Sequence, residues 1–292
     1  MGPSDPSLAI VSPLVEAEIG AADALVREAG WNQVAADWRV FLKSGTVHAI
    51  RTGAGRVVAT AATLPYGGRF GWISMVLVAK DRRRQGLAKR LLGRCIDDLT
   101  GAGLTPVLDA TPDGRPVYRA LAFEENWGYQ RQSAGEVLKV GDPPLPPAGV
   151  TIRRADDMCW EALCAYDAAT FGADRTALLA NMRERLPAVA HIAQRNGRIV
   201  GILLGRDGRS ATQIGPLAAD DDAIALALMA RGLAAVEGPV YIDLADAKAE
   251  LRAWLAARGF APQRPFTRML YRRSARFDDP ARTFAVVGPE FG

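Results

Sequence analysis

The sequence predicts an α/β protein with two tandem domains, each built on a mixed sheet. Length allows two domains of ordinary size, since the chain has 292 residues. Apolar strand-type segments alternate with amphipathic helical segments, and the same order of elements occurs on both sides of a Pro-rich stretch. With 49% hydrophobic and 23% charged residues, the composition excludes a disordered, collagen-like or coiled-coil chain.

The Pro-rich stretch at residues 142–149 is predicted to be a linker between domains at residues 1–141 and 150–292. Its prolines lack amide donors and bias their neighbours towards extended conformations, so neither a helix nor a strand continues through it. We therefore expect an N-terminal domain and a C-terminal copy of it with little residue identity.

The first half shows two helical segments, three strands, one amphipathic helix, a strand, a short helix and a closing strand. They are predicted at residues 13–29, 33–42, 46–51, 56–64, 69–78, 84–99, 105–110, 115–121 and 128–138. In the helix over 84–99 the apolar side chains recur at helical spacing, which predicts one buried face.

The second half repeats this order, with one more strand at its start. Its elements are predicted at residues 150–153, 158–169, 176–185, 188–195, 198–206, 211–215, 222–236, 240–244, 247–258 and 268–273. The Asn196-Gly197 pair between two of the strands is a strong hairpin signal. After them, residues 283–292 contain a strand-like apolar run that we expect to dock on a sheet edge or on the first domain.

Charge is nearly balanced at +4 overall, but residues 80–94 hold seven basic side chains against Asp81 alone. Such a short basic window predicts a small anionic ligand rather than a general polyanion. The three cysteines have neither the spacing of a disulfide framework nor that of a zinc site. No segment is typical of a signal peptide or of a membrane span. We therefore expect a cytoplasmic protein without a metal, not bound to a membrane.

The basic window follows a buried-type strand, Ile-Ser-Met-Val-Leu-Val at residues 73–78, and leads into a helix through Arg-Arg-Gln-Gly-Leu-Ala at residues 83–88. The free amides and the dipole at a helix start favour an anion. Gly86 and Ala88 let a phosphate approach these amides, and Arg83, Arg84 and Lys89 can add charge-assisted hydrogen bonds. A diphosphate fits this pattern.

The pattern of Arg83, Gly86 and Ala88 resembles the acyl-CoA-binding signature of the GNAT superfamily of N-acetyltransferases. Residues 108–123 resemble the next motif of that family, a strand followed by a helix that carries a tyrosine, here Tyr118. Ala122 stands where the family has Gly, which we expect to alter the turn without removing the tyrosine. The resemblance implies a tandem GNAT protein whose second domain is degenerate.

The resemblance also implies roles for individual residues. Acetyl-CoA is the implied co-substrate, with the backbone of residues 76–78 on the pantetheine arm and residues 83–88 on the pyrophosphate. The predicted cofactor residues are Val76, Leu77, Val78, Arg83, Arg84, Gln85, Gly86, Leu87, Ala88 and Lys89. Tyr118 is the implied general acid, which protonates the departing thiolate.

An amine nucleophile must lose a proton before it attacks a thioester, but no acidic residue lies on the strand over 69–78. The candidate bases Glu28, Asp37, Asp109 and Glu124 remain open alternatives. Trp31 and Trp72 are candidates for the acceptor pocket, with core packing as their alternative role.

The second domain lacks the basic turn. It reads Gly-Pro-Leu-Ala-Ala-Asp-Asp-Asp at residues 215–222, where Pro216 lacks a donor and the aspartates would repel a phosphate. The same aspartates also suit a helix N-terminus. We expect this domain to have lost CoA binding. Completing the acceptor pocket, stiffening the first domain and forming a homodimer are the roles left open for it.

We therefore expect an acetyl-CoA-dependent N-acetyltransferase that acts on an amine, with a small molecule as the expected acceptor and a protein amine as the alternative. Two other classes stay open. A CoA-sensing or interaction module would use the same cofactor site without chemistry, and a nucleic-acid binder would use the basic window at residues 80–94. No nucleic-acid partner is expected from the balanced charge elsewhere.

Overall fold

The computed structural model describes residues 11–292, which form two compact units. The first unit runs through Leu108 and includes Phe291, and the second contains Asp109–Glu290 and Gly292. The start of the first predicted domain, residues 1–10, lies outside the described residues. The predicted linker at 142–149 lies within the second unit and is mostly exposed coil.

The first unit is a five-stranded mixed sheet with three helices among its described residues. Its elements are β1 (Ser12–Pro13), α1 (Ile19–Ala29), α2 (Ala35–Ser44), β2 (Thr46–Arg51), β3 (Val57–Tyr66), β4 (Phe70–Val78), α3 (Leu87–Gly101) and β5 (Thr105–Ala110), the last two residues of β5 being assigned to the second unit. Neighbouring strands follow chain order and pair antiparallel, except that β4 and β5 pair parallel.

Helix α3 packs directly on strand β4. Its apolar side chains, among them Leu91, Leu92 and Cys95, are buried, as their helical spacing predicts. A Cβ added at Gly71 of β4 would lie 2.3 Å from Leu99 Cδ2, so a larger residue here would require the Leu99 side chain to move. This contact packs the end of α3 against the start of β4.

Helix α3 begins at Leu87, not at residue 84 as predicted. Arg84 and Gly86 have φ angles of 61° and 78°, values that cannot continue a right-handed helix. The residues between β4 and α3 therefore form a loop. The sequence predicts the last three of them, residues 84–86, as the first helical turn.

Phe291 belongs to the first unit. Its ring stacks on Phe41 with 5.0 Å between centroids, and its carbonyl oxygen accepts a hydrogen bond from the Tyr66 hydroxyl at 2.8 Å. The ring is fully buried. This aromatic side chain thus occupies a core position of the first unit. Residues 283–286, which the sequence predicts to dock on a sheet edge or on the first domain, lie between two strands of the second unit instead.

The second unit is an eight-stranded mixed sheet with helices α4 to α8. Its elements are α4 (Arg115–Arg119), β6 (Phe123–Ala134), β7 (Val150–Arg154), α5 (Trp160–Phe171), α6 (Thr176–Arg185), β8 (His191–Arg195), β9 (Arg198–Arg206), β10 (Thr212–Ala219), α7 (Asp222–Leu233), β11 (Val240–Ala245), α8 (Ala249–Ala256), β12 (Ala261–Tyr271) and β13 (Thr283–Val286). The strand order is β12-β6-β11-β13-β10-β9-β8-β7.

Strand β6 lies between β11 and β12 and pairs antiparallel with both. It begins at Phe123, five positions before its predicted start, because Tyr271 at the end of β12 pairs with Phe123. A strand that precedes the Pro-rich stretch thus completes a sheet formed by strands that follow it.

Strand β10 continues to Ala219, although Pro216 predicted its end at residue 215. The pairing of β10 with β9 is irregular between Ile214 and Leu217, so the missing amide of Pro216 falls in a bulge and breaks no regular pairing. No helix of residues 11–292 is long and apolar enough to cross a membrane.

Candidate functional site

The loop between β4 and α3 presents a row of free backbone amides. Along this stretch, Arg90 donates its amide hydrogen to Gly86 at 3.0 Å. No described residue accepts a hydrogen bond from the amides of residues 85–89. Because these donors also lie at the positive end of the α3 dipole, the loop has the geometry that favours an anion.

Three cations surround these amides. Arg83, Arg84 and Lys89 are exposed, and none forms an ion pair with the described residues. The nearby Asp81 is paired with Arg56 at 2.6 Å, and this hydrogen bond lowers the pKa of the Asp81 carboxyl. The acid of the loop is therefore neutralised by its own partner. Arg83 Nε donates a hydrogen bond to the Val78 carbonyl oxygen at 3.3 Å, and the Arg84 and Lys89 side chains stay available for a ligand.

Two hydrogen bonds donated by backbone amides position this loop. Glu28 of α1 accepts a hydrogen bond from the Lys80 amide at 2.5 Å, and the Ala79 amide donates to Val58 at 2.9 Å. The loop is thus held to a helix and a strand of the same unit before any ligand arrives, which reduces the entropy cost of binding.

Strand β4 has an open edge that leads to the loop. It pairs with β5 through Phe70, Gly71 and Trp72, whereas residues 73–78 have no strand partner on that side among the described residues of the unit. Val76 and Val78 are half-buried and Leu77 is buried. An extended ligand can add to such an edge by main-chain hydrogen bonds.

A bulge lies in the same part of β4. Its pairing with β3 is irregular between Thr60 and Ala62, and Met75 has a φ of 52°. The Thr60 hydroxyl donates to the Met75 carbonyl oxygen at 2.9 Å, which stabilises this conformation. A bulge re-aims backbone groups out of the regular ladder, so donors here can point at a bound acyl group.

Ser74 is a candidate that sequence reasoning missed. It is 8% exposed, and its hydroxyl has no hydrogen-bond partner in the described structure. A buried hydroxyl without a partner is costly, which marks it for a ligand contact. The available signal was a single polar residue within the apolar run Ile73–Val78.

Tyr118 belongs to the second unit, where it lies on the short helix α4. Its ring packs edge-on against Phe123 at 6.1 Å between centroids. A Cβ at Gly114 would lie 2.8 Å from the tyrosine ring, so this glycine makes room for it. No described residue hydrogen-bonds to the Tyr118 hydroxyl. Burial raises the pKa of Tyr118 above 10.0, which keeps the phenol protonated at neutral pH.

Ala122, which ends the turn after α4, adopts a φ of 65°. This is the left-handed conformation that glycine favours, and alanine tolerates it at a cost. The carbonyl oxygen of Ala122 accepts a hydrogen bond from the Arg272 amide at 2.8 Å. Ala122 thus adopts a conformation that favours glycine, with a Cβ present.

The four candidate bases have different environments. Asp37 is fully buried and accepts a hydrogen bond from the Val34 amide at 2.8 Å, as a helix cap does. Glu28 holds the loop as described. The Asp109 carboxylate accepts hydrogen bonds from Nε and Nη2 of Arg268, at 3.0 and 3.1 Å. Glu124 is exposed. Asp37, Glu28 and Asp109 are therefore committed to structural hydrogen bonds.

The two candidate acceptor-pocket tryptophans differ in exposure. Trp72 is completely buried beside Tyr66 and Phe70, which favours core packing, its alternative role. Trp31 is half-buried just after α1. Among residues 11–292, no group of His, Cys, Asp and Glu side chains has the arrangement of a metal site.

The turn before α7 in the second unit uses its aspartate side chains for internal hydrogen bonds. Asp221 caps this helix, its carboxylate accepting the Ile224 amide at 2.8 Å. Asp220 accepts the Tyr166 hydroxyl at 2.8 Å. The interpretation of these aspartates as a helix N-terminus is confirmed for Asp221.

Family models match both halves of the chain. A model described as acetyltransferase (GNAT) family matches residues 22–123, and one described as acetyltransferase (GNAT) domain matches residues 163–285. The uncharacterized N-acetyltransferase YitH of Bacillus subtilis (strain 168) is 24% identical over 275 residues, which cover 92% of this chain and 93% of that protein.

Solved structures show the same fold at low identity. A proposed acetyltransferase from Pyrococcus horikoshii has a TM-score of 0.76 at 16% identity, covering 99% of this chain and 97% of its own. A tandem GNAT protein from the clavulanic acid biosynthesis pathway has a TM-score of 0.62 at 18% identity, covering 90% and 98%. With two GNAT models matched in succession and these similarities along nearly the whole chain, the protein belongs to the GNAT family of acetyltransferases and contains two GNAT domains in tandem.

Proposed function

We propose that this protein transfers the acetyl group of acetyl-CoA to an amine, with the cofactor bound in the first domain. The observation that carries the proposal is the row of free amides at residues 85–89 with three unpaired cations beside it. This is the chemistry that a pyrophosphate requires. Arg83, Arg84 and Lys89 hold the phosphates.

The open edge of β4 receives the pantetheine arm. Its amide groups form hydrogen bonds with the backbone of residues 76–78, and the thioester lies towards the bulge at Met75. Backbone donors at the bulge stabilise the oxyanion that forms when the amine nitrogen attacks the carbonyl carbon. The buried Ser74 hydroxyl is a further candidate for this contact.

The reaction is direct attack. The amine gives up a proton, its nitrogen bonds to the carbonyl carbon, and the tetrahedral intermediate breaks the carbon–sulfur bond. Tyr118 donates a proton to the departing thiolate, for which its protonated and free hydroxyl is suited. The proton of the amine is taken by a base through water.

A thermal-shift experiment tests cofactor binding. Acetyl-CoA at a hundredfold its dissociation constant stabilises the protein by about 2.7 kcal/mol. Arg84→Glu removes this shift, because it replaces a cation beside the phosphates with an anion. Arg273→Glu, a charge reversal at an exposed arginine of the second unit, leaves the shift unchanged. Equal shifts in all three proteins contradict the proposed binding site.

The acceptor is proposed to be the amine of a small molecule. A panel of small amines and of peptides with free lysine or N-terminal amines, assayed by release of the CoA thiol, separates the two acceptor classes. Thiol release with peptides alone overturns the small-molecule proposal. A thermal shift with acetyl-CoA but no thiol release across the panel favours a CoA-sensing module.

A further inference from the structure

We propose that strand β13 permanently occupies the cofactor groove of the second GNAT domain, so that each chain binds one acyl-CoA, in its first domain. This inference rests on the proposed function, because it assigns the open edge of β4 to the pantetheine arm. In the second unit, the chain's own segment Thr283–Val286 occupies the corresponding groove.

The two units contain the same groove-forming geometry. In the first, β4 pairs parallel with β5 at one end only and has a bulge between Ser74 and Leu77. In the second, β10 pairs parallel with β11 through Thr212, Gln213 and Ile214, and has its bulge between Ile214 and Leu217. Beyond these short pairings each pair of strands separates, which opens a groove.

Only the groove of the second unit contains a strand in the described structure. β13 pairs with β10 through Leu217–Ala285 and Ala218–Thr283, and with β11 through Asp243–Val286 and Leu244–Ala285. Both open edges are therefore satisfied by main-chain pairing. A Cβ at Gly215 would lie 2.1 Å from the Val286 carbonyl oxygen, so glycine at the bulge is required for this close approach. A pantetheine arm has no remaining edge to bind.

The second unit also lacks the phosphate loop. β10 ends at Ala219 and α7 begins at Asp222, whereas residues 79–86 separate β4 from α3 in the first unit. At the start of α7 the amide of Ile224 already donates to the Asp221 carboxylate. An internal carboxylate thus takes the place that a phosphate takes in the first domain.

Buried contacts hold the inserted segment in place. The side chains of Phe284, Ala285 and Val286 are at most 3% exposed. Glu290 forms a buried ion pair with Arg206, and the Gly292 carbonyl oxygen accepts a hydrogen bond from Arg175 at 2.8 Å. These contacts are typical of a permanent core element rather than a gate that opens for a ligand.

Hydrogen–deuterium exchange of the full chain tests the occupant directly. Without ligand, the amides of residues 284–286 should exchange about 1000-fold more slowly than those of the exposed segment 273–275. Acetyl-CoA should slow exchange at residues 76–78 and leave residues 217–219 and 284–286 unchanged. Fast exchange at 284–286 without ligand, or a change there on adding acetyl-CoA, overturns the inference. An absent response at 76–78 contradicts the proposed function instead.

Calorimetric titration with acetyl-CoA supplies the stoichiometry. Wild type should bind one molecule per chain, and Arg84→Glu should bind none. Adding Asp221→Ser to Arg84→Glu removes a negative charge but keeps a capping hydroxyl, and it should still give no binding because β13 fills the groove. Two molecules per wild-type chain, or binding regained in the double variant, overturns the inference.

A proline scan isolates the strand itself. Ala285→Pro removes the amide at the residue that pairs with both neighbouring strands, so it should speed exchange across residues 217–219. Ala275→Pro, in the exposed segment before β13, is the matched control and should leave that exchange unchanged. Unchanged exchange in a folded Ala285→Pro variant overturns the pairing.

Discussion

At the scale of single residues, Tyr118 combines an apolar environment with a hydroxyl that no described residue occupies. Its ring is held between Gly114 and Phe123, so the orientation of the phenol is set by packing. The resemblance to a GNAT motif identifies this tyrosine in the sequence. Its raised pKa depends on burial, which the sequence alone does not give.

Tyr118→Phe should lower kcat by about 100-fold, since a general acid typically contributes at least that factor. The thermal shift with acetyl-CoA should persist, because the hydroxyl contributes to proton transfer rather than to phosphate binding. Steady-state kinetics and the thermal shift together measure the two effects.

The matched control is Tyr271→Phe, because Tyr271 packs against the same Phe123 ring at 5.4 Å. It should retain wild-type kcat. Comparable losses in both variants would indicate a packing effect rather than proton donation.

At the scale of elements, the loop between β4 and α3 depends on one backbone conformation. Gly86 has a φ of 78° and open space around its Cα. Gly86→Ala should weaken acetyl-CoA binding about tenfold, because a Cβ disfavours this conformation by 1–2 kcal/mol. Titration calorimetry measures the change.

Gly93 provides the control in the same helix. It lies within α3, also has open space around it and shows no left-handed φ. Gly93→Ala should leave binding unchanged and stabilise the helix by about 0.5–1 kcal/mol. If both substitutions weaken binding equally, the loop conformation is not the cause.

The elements themselves follow closely from periodicity and turn residues. The core strands β2 and β9 have their predicted bounds, since alternation and flanking turns define them locally. Differences arise where tertiary structure overrides local preference: the left-handed Arg84 delays α3, and the bulge at Pro216 extends β10. Long-range pairing lengthens β6, and no local window contains that partner.

At the scale of the whole molecule, the candidate anion-binding residues can be found from the sequence because they are contiguous in it. The occupied groove of the second unit was not, although residues 283–292 were recognised as strand-like. These residues pair with β10 and β11 because those two strands, which are distant in sequence, separate and leave space between them. Composition and residue spacing do not encode that separation.

Global stability should depend on His191. Burial lowers the pKa of its imidazole below 6.5, and its Nδ1 lies 2.9 Å from the Val189 carbonyl oxygen. The unfolded state therefore binds a proton more readily than the folded state. The stabilisation that the neutral imidazole gives the folded state is complete above about pH 6.5 and is lost as the pH falls below it. Denaturant unfolding between pH 7.5 and 5.5 should show a smaller loss in His191→Gln than in wild type. An identical slope in both proteins would exclude this role.

The placement of β6 between β11 and β12 has a consequence for biosynthesis. Arg131 on β6 forms its ion pair with Asp243, 112 positions later. At ribosomal elongation rates, β6 is therefore synthesised on the order of ten seconds before its partner strands. During that interval its unpaired edges resemble an aggregation template. Nascent chains of this protein should therefore depend on chaperones until translation has passed β12, and refolding after dilution from denaturant should be slow for its size.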